Sequence, residues 1–447
     1  MGAMTYLRRV WSQSRLYRIV LVIAVLYLLL RLTVQAAYFA GVFRPDTEGE
    51  NNIMPVDLQL YVDAANALLS KQDLYPTADV IEVYQYSPAY ALAFTPFLWL
   101  SPCALVAVST LLHIAAYVLL CFWWDRIFRR LGLDSARQMM AWTLPVWLVF
   151  SAFWGDLGYL NIYIIMALLS TLLIEAVLEE RLGWAVFWLA IIVQIKPHWA
   201  FPIAVPLLLG RYRFFFKLVL GGVLAYLAIT GLTILVAGPA YAWQQYMSYF
   251  HFLSILRAEF PWRGPDAPFL GYNHSVTQMV TYLFGVSSKT LHLATVIKIV
   301  LLIPLAVVAL RQLRRPSRRA GFGVPQLALD LAFALYAGAF IWLDMVWEFS
   351  LGIAVFTYLL GTLDQRGSRT VVWIVFLPYA LLDFWQLFSV AVFGFDVVLP
   401  GMYIVTDPSI YIPLVMIVIL AFYALLIKRL WVVPTDRVVV TEGGSWI

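Results

Sequence analysis

Apolar runs of about twenty residues recur along almost the whole chain, and short polar turns separate them. A run of this length is what an α-helix needs to cross the hydrocarbon core of a bilayer. The pattern predicts membrane-spanning segments near 19–43, 103–124, 139–155, 157–178, 183–196, 198–210, 214–238, 290–311, 325–343, 345–362, 370–392 and 409–428. We therefore predict an all-α membrane protein with about twelve transmembrane helices.

Two further segments are predicted to lie at the outer membrane surface. The segment 86–100, YSPAYALAFTPFLWL, is apolar but interrupted by proline, so we expect a broken, re-entrant or juxtamembrane element rather than a full span. The stretch DLQLYVDAANALL, which begins at Asp57, repeats apolar residues at helical spacing. It predicts an amphipathic helix lying flat on the interface.

Composition supports a single membrane domain over residues 1–447. Hydrophobic residues make up 63% of the chain and the mean hydropathy is +0.84, which is far above the range of soluble domains. The polar segments are a first outer loop at 44–85 and a long outer loop at 239–289. The two cysteines, Cys103 and Cys121, lie in one apolar run, and no metal-ligand spacing or Gly-rich phosphate loop occurs, so we expect neither a metal nor another cofactor.

The charge pattern predicts an orientation in the membrane. Lysine and arginine concentrate in turns that fall on one face of the predicted bundle, and the positive-inside rule makes that face cytoplasmic. This predicts a multi-pass protein of the plasma (inner) membrane with both termini in the cytoplasm, its first apolar run being a helix rather than a cleaved signal peptide. The net charge of +5 is then an orientation signal and gives no reason to expect a nucleic-acid partner.

Residues that can carry chemistry collect on the opposite, extracytoplasmic face. Asp57 heads the amphipathic helix, where it can be a catalytic carboxylate or only a helix N-cap. In QIKPHWAFP, Lys196 can bind a phosphate or simply snorkel, and His198 can orient a phosphate or make a packing contact. Arg31, in mid-span, is expected to face the bundle interior, with no partner that the sequence identifies.

The long outer loop contains FPWRGPDAPFLGYNHSVTQ, which supplies aromatic faces and planar donors suited to sugars and phosphates. Its candidates are Arg263 for the donor phosphate, and Trp262, Asn273, His274 and Ser275 for the sugar or acceptor. Asn273-His274-Ser275 also fits the N-glycosylation pattern, which is a frequent chance match. Asp156 and Asp344, in other outer turns, are further sugar or acceptor candidates and the next candidates for a base.

The order of these motifs resembles a known enzyme family. Asp57, then DAANALLSKQDLYP, YQYSP, IKP and YNHS are similar to the C-fold membrane glycosyltransferases of family eighty-seven. The resemblance is to its polyprenol-phosphate-mannose-dependent α-mannosyltransferases, of the kind that act on phosphatidylinositol mannosides. It implies a C-fold architecture, a polyprenyl-phosphate-linked sugar donor, a glycolipid acceptor, contact with membrane lipids, and inversion at the anomeric carbon.

The resemblance also implies roles for single residues. Asp57 matches the catalytic base, and Lys196 the lysine near the lipid phosphate. Tyr86, Ser87 and Pro88 match the aromatic-x-Pro element beside the site. Asn273 and Ser275 match the Asn-x-Ser of the later loop. The sequence departs from the family at DMVWEFS, where Glu348 follows Trp347 and the histidine that often occurs in this late span is missing, so Glu348 joins the acceptor candidates.

Other classes of protein share parts of this pattern. An O-antigen ligase or polymerase would depend on basic residues of 239–289 instead of Asp57. A lipid-linked sugar flippase would carry ionisable residues near the membrane midplane in repeated halves. A scaffold protein would need no clustering of Asp57, Lys196 and His198 on one face.

Overall fold

A computed structural model describes residues 3–40, 54–76, 84–260, 262, 273–314, 324–393 and 412–432. These residues form nineteen α-helices and two 3-10 helices, and no strand occurs among them. The helices are α1 Ala3–Gln13, α2 Arg15–Phe39, α3 Val56–Leu69, α4 Pro88–Phe94, α5 Pro102–Arg130, α6 Asp134–Val149, α7 Ser151–Tyr159, α8 Tyr163–Leu178, α9 Leu182–Ile195, α10 Ala204–Leu208, α11 Tyr212–Ala237, α12 Pro239–Glu259, α13 Val276–Phe284, α14 Ser288–Arg314, α15 Val324–Trp342, α16 Gly352–Thr362, α17 Arg366–Ala380, α18 Leu382–Phe393 and α19 Leu414–Val432, with 3-10 helices at Thr95–Trp99 and Pro197–Ile203.

Six helices of the described part are long and apolar enough to cross a membrane: Arg15–Ala37 within α2, α5, α11, α14, Pro325–Trp342 within α15, and α19. Two bent pairs raise the number to eight if each pair is one span. One pair joins Asp134–Tyr159 to Tyr163–Leu178 with a bend of 115°, and the other joins α17 to Leu382–Phe388 with a bend of 47°. An all-helical membrane protein is confirmed, whereas the count of about twelve spans is not.

The structure has fewer spans than the sequence predicted because several of the apolar runs are short or broken. The runs near 183–196 and 345–362 form α9, of 14 residues, and α16, of 11 residues, which are short for a span. The run near 198–210 becomes a 3-10 helix followed by the five-residue α10. Hydropathy does not distinguish these helices from spans, because side chains buried against other helices are as apolar as side chains that face lipid.

The predicted outer segments contain helices of their own. The amphipathic helix is confirmed as α3, which buries Leu58, Tyr61, Ala65 and Leu68 along one face. Segment 86–100 forms α4 and a 3-10 helix, and neither is long enough to span. The long loop 239–289 is also largely helical in its described part, since α12 and α13 occupy most of it.

The two ends of α8 differ in their chemistry. At its C-terminal end, Glu175 bonds to Arg126 at 2.9 Å and Arg130 at 2.5 Å, and Glu179 pairs with Arg181 at 2.8 Å. We call this the basic end of the bundle. The 16 residues of α8 separate it by about 24 Å from the N-terminal end at Tyr163. The predicted sorting of arginines to one face therefore has a counterpart in the fold, and its assignment to the cytoplasm stays a prediction.

The buried Arg31 of α2 has a partner that the sequence did not identify. Its guanidinium forms two bonds to the Asp383 carboxylate, at 2.9 and 3.1 Å, and the Tyr27 hydroxyl donates to the same carboxylate. Arg31 also donates to Gln35 at 2.9 Å, and Gln35 donates to the backbone oxygen of Leu157 at 3.3 Å. This network ties α2 and α18 to α7, the helix that leads into the candidate site.

Candidate active site

Asp57 lies in the first turn of α3, but it does not cap that helix. The N-cap residue is Pro55, and no side chain forms a cap hydrogen bond there. The N-cap interpretation of Asp57 is therefore wrong. Its half-buried carboxylate instead accepts a hydrogen bond from Asn161 Nδ2 at 3.0 Å, across 104 residues of sequence.

Asn161 is held in the sharp turn between α7 and α8. Leu160, just before it, has a left-handed backbone with φ of 51°, which a residue with a Cβ adopts rarely and which here reverses the chain. The Asn161 side-chain oxygen accepts from the backbone N–H of Ile162 at 2.6 Å, and its backbone oxygen contacts His113 Nε2. Since these bonds fix the amide, its N–H group points at Asp57.

Asp156 stabilises the same turn. Its two carboxylate oxygens accept from the backbone N–H groups of Tyr163 at 3.0 Å and Ile164 at 2.9 Å, which are the first residues of α8. Asp156 is only 3% exposed, and its carboxylate lies 3.7 Å from His113 Nε2. Asp156 thus caps the N-terminus of α8 and supports the site, and it is poorly placed to contact a substrate.

Lys196 follows the last residue of α9, where Pro197 ends the helix. Its ammonium lies over two aromatic faces, at 4.1 Å from the Tyr163 ring centroid and 5.1 Å from the Tyr86 ring centroid. Among the described residues no carboxylate lies within ion-pair distance of it and no acceptor takes its N–H groups. A half-buried cation with unused donors is suited to an anionic ligand.

The Tyr86-Ser87-Pro88 element is bound to the end of α9. The Ser87 hydroxyl donates to the backbone oxygen of Gln194 at 2.7 Å, two residues before Lys196. Tyr86 is fixed by the Tyr75 hydroxyl, which donates to its backbone oxygen at 2.7 Å, and by the hydroxyl of Tyr61 at 3.1 Å. The candidates Tyr86 and Lys196 are therefore brought together, and both lie near Asp57.

Burial shifts the pKa values of Asp57 and Lys196 in opposite directions, and nearby charges partly offset both shifts. Burial raises the pKa of Asp57 to about 6, although the Lys196 charge and the Asn161 hydrogen bond act to lower it. Burial lowers the pKa of Lys196 to about 8, and the charges of Asp57 and Asp156 partly offset that effect. Between these values both groups are charged. Desolvation is the largest of the effects on Asp57 and decides the direction of its pKa shift.

The two predicted histidines are neutral near pH 7. Burial, and next the Lys196 charge, lower the pKa of His198 to about 3, and its ring packs at 5.7 Å from the ring of Phe340. Its Nε2 atom is buried without a hydrogen-bond partner in the described part of the chain. Burial lowers the pKa of His274 to about 4. Neither side chain supplies a positive charge to a phosphate.

Asn273 and Ser275 belong to a separate structural cluster. Asn273 donates to the backbone oxygen of Asp344 at 2.9 Å and accepts from the backbone of Val346 at 3.0 Å, while Ser275 caps α13. The Asp344 carboxylate bonds to Lys298 and accepts from Thr277 at 2.5 Å. The buried Asn273 amide is thus occupied by protein contacts, which argues against glycosylation of the sequon.

The remaining predicted residues are held by contacts with other parts of the protein. Glu348 is buried and accepts from the Tyr379 hydroxyl at 2.7 Å. Trp262 packs on Phe260 with ring centroids 4.6 Å apart and donates from Nε1 to the backbone oxygen of Arg257 at 3.0 Å. Arg263 lies outside the described residues. Over the described ranges, no group of three or more His, Cys, Asp or Glu residues is placed to hold a metal ion.

The model of glycosyltransferase family 87 matches residues 84–335, more than half of the chain. The chain belongs to this family. It is therefore a membrane glycosyltransferase, and the match includes Tyr86, Asn161 and Lys196 but begins after Asp57. No curated protein and no solved structure matches the chain.

Proposed function

We propose that this family 87 member transfers mannose from a polyprenyl-phosphate donor to a glycolipid acceptor at the extracytoplasmic membrane boundary, with inversion at the anomeric carbon. The observation that carries this proposal is the meeting of Asp57 with Lys196, which has no ion-pair partner among the described residues, at the end of the bundle opposite the basic end. One group is a base with a raised pKa, and the other is a cation with free donors.

In this proposal Asp57 takes the proton of the acceptor hydroxyl while the oxygen attacks the anomeric carbon. A base is most effective when its pKa lies near the working pH, so a pKa of about 6 suits this step better than the ordinary value of 3.8. Asn161 is the positioning residue, because one N–H of its side-chain amide fixes one carboxylate oxygen, while the other oxygen accepts no bond from the described residues.

Lys196 stabilises the negative charge that builds on the leaving phosphate. The phosphate is already a stable anion, so the reaction needs no general acid at this position. The Tyr86 and Tyr163 rings hold the ammonium without consuming its hydrogen-bond donors. The same arrangement suits a donor whose lipid tail keeps its phosphate at the membrane surface.

The ionisable pairs within the spans support an enzyme over a lipid-linked sugar flippase. Arg31 is paired with Asp383 and is only 1% exposed, so it is unavailable to a passing substrate. Asp344 neutralises Lys298 in a similar way. A ligase that depends on arginines of the long loop gains no support from Arg257, whose guanidinium is engaged with Leu291 and Thr295.

The direct experiment incubates the purified full chain with polyprenyl-phosphate mannose and a membrane glycolipid extract, with product analysis by mass spectrometry. We expect a product heavier by one hexose, and α-linkage by glycosidase digestion. Polyprenyl-phosphate glucose and arabinofuranose are the parallel donors, and transfer from one of these in place of mannose would overturn the choice of sugar. Transfer only from a nucleotide sugar would overturn the lipid donor.

Lys196→Met tests the phosphate role in the same assay. Removing one preorganised donor at a charge-bearing site typically lowers turnover by about a hundredfold to a thousandfold. Lys71→Met is the matched control, because Lys71 is an exposed lysine at the end of α3. Near-normal turnover of Lys196→Met at low donor concentration would contradict the assignment.

A further inference from the structure

An apolar groove of about 540 Å³ lies between α14 and α19, far along the chain from the candidate active site. Its walls are Val300, Leu301 and Pro304 of α14 and one face of α19 from Leu420 to Val432. Both helices are long and apolar enough to span a membrane. In the bilayer such a groove is open to lipid and closed to water.

Specific contacts build one wall of the groove. Pro304 has no backbone N–H, which weakens the hydrogen-bond ladder of α14 at that turn. The Tyr423 hydroxyl accepts from the N–H of Leu305 at 3.2 Å and donates to the carbonyl of Leu301 at 2.9 Å. An unbroken helix would join those two groups to each other. Because the Tyr423 hydroxyl bonds to both groups, α19 is held against α14 at this turn.

Positive charge surrounds one end of the groove. The Arg311 guanidinium lies 3.7 Å from the Trp431 ring centroid, and Lys428 lines the groove beside it. Within the described ranges, neither Arg311 nor Lys428 has a carboxylate partner. The neighbouring Arg429 differs, since it turns inward and pairs with Asp330 at 3.2 Å. The groove therefore ends in two exposed cations and an aromatic ring.

The length of the groove matches one leaflet of a bilayer. On α19 the lining runs from Leu420 to Val432, a rise of about 18 Å along the helix. Half of a hydrocarbon core of about 30 Å is about 15 Å. A tryptophan at the polar end is typical of the membrane interface. An acyl chain laid along the apolar walls would bring its headgroup phosphate to Arg311 and Lys428.

We propose that this groove binds an anionic phospholipid, with one acyl chain between α14 and α19 and the headgroup phosphate on Arg311 and Lys428. Packing contacts place the groove at the basic end of the bundle. Arg429 of α19 donates to Thr362 at the end of α16, and Gly361 of α16 packs against the start of α6, which follows α5. The bound lipid thus lies in the leaflet opposite the Asp57 site. This inference is independent of the proposed reaction.

The test is lipid retention by the delipidated full chain, measured by native mass spectrometry. The protein receives equal amounts of phosphatidylglycerol and phosphatidylcholine with identical acyl chains. We expect retention of phosphatidylglycerol in preference to phosphatidylcholine. The double variant R311Q/K428Q should reduce this preference by about thirtyfold, roughly fivefold for each cation removed.

Ala424→Phe fills the groove without changing its charge, and it should reduce retention of both lipids. The matched controls are Lys217→Gln and Ala228→Phe, both at exposed positions of α11 outside the groove, and they should behave as the parent chain. Equal retention of the two lipids, or an unchanged preference in R311Q/K428Q, would overturn the proposal. Displacement of phosphatidylglycerol by inorganic phosphate alone would show that the site binds a free anion rather than a lipid.

Discussion

Replacement of Asn161 by alanine is expected to shift the pH dependence of transfer rather than only its rate. The Asn161 amide donates to the Asp57 carboxylate at 3.0 Å and lowers its pKa. A hydrogen bond to a charged group contributes about 1.5–3 kcal/mol, and one pKa unit corresponds to about 1.4 kcal/mol. Loss of the bond should therefore raise the pKa of Asp57 from about 6 by about 1–2 units.

The sign of the effect follows from the role of the carboxylate as a base. A higher pKa means that Asp57 keeps its proton to higher pH, so the fraction that can act at pH 7 falls from about nine-tenths to between about one-tenth and one-half. The assay is the initial rate of transfer from polyprenyl-phosphate mannose between about pH 5 and about pH 9. We expect the acidic limb of the profile to move upward by about 1–2 units.

The matched control is Asn66→Ala, which changes an exposed asparagine of the same helix as Asp57 and should leave the profile unmoved. Asn161 also accepts from Ile162, so its loss can lower the rate at every pH through the turn itself. The shift of the limb separates the two effects. A uniform loss of rate with an unmoved limb would refute the hydrogen-bonded base and leave Asn161 a purely structural residue.

Three further outcomes are expected. In the parent chain the transfer rate should rise through about pH 6, as Asp57 loses its proton, and fall through about pH 8, as Lys196 loses its proton. An acidic limb near pH 3.8, the ordinary pKa of an aspartate, would contradict the burial of the base. Gly361→Ala should destabilise the protein by about 1–3 kcal/mol in thermal unfolding, because the new Cβ would lie 2.4 Å from the backbone of α6, whereas Gly367→Ala meets open space and should be neutral. Arg31→Met should cost about 3–5 kcal/mol by leaving its carboxylate partner buried and unpaired, and an unchanged unfolding temperature would contradict this.

Local patterns predicted the helix at Asp57 and the polar end of α9 correctly. The spacing of apolar residues in DAANALL depends on that segment alone, and these residues contribute to the buried face of α3. The Lys-Pro pair likewise marks a helix end by its own chemistry. The same kind of signal does not reveal Asn161, because its functional partner Asp57 lies 104 residues away in the sequence.

Long-range pairing accounts for most of what the sequence did not reveal. Asp344 was a candidate base, but Lys298, 46 residues earlier, neutralises it, and the Asp383 partner of Arg31 lies 352 residues away. Asp156 has a local role instead, since its carboxylate caps a helix that begins seven residues later. The bend of 115° that allows this capping joins two runs that hydropathy divides into separate spans.

The measurement that tests the central claim most directly is transfer by Asp57→Asn. The substitution keeps the size of the side chain and removes the base, and Asp63→Asn, at an exposed carboxylate of the same helix, is the control. With folding verified by thermal unfolding and donor binding retained, Asp57→Asn should lose activity by on the order of a hundredfold or more, while Asp63→Asn stays active. Appreciable turnover by folded Asp57→Asn protein would show that this carboxylate is not the base.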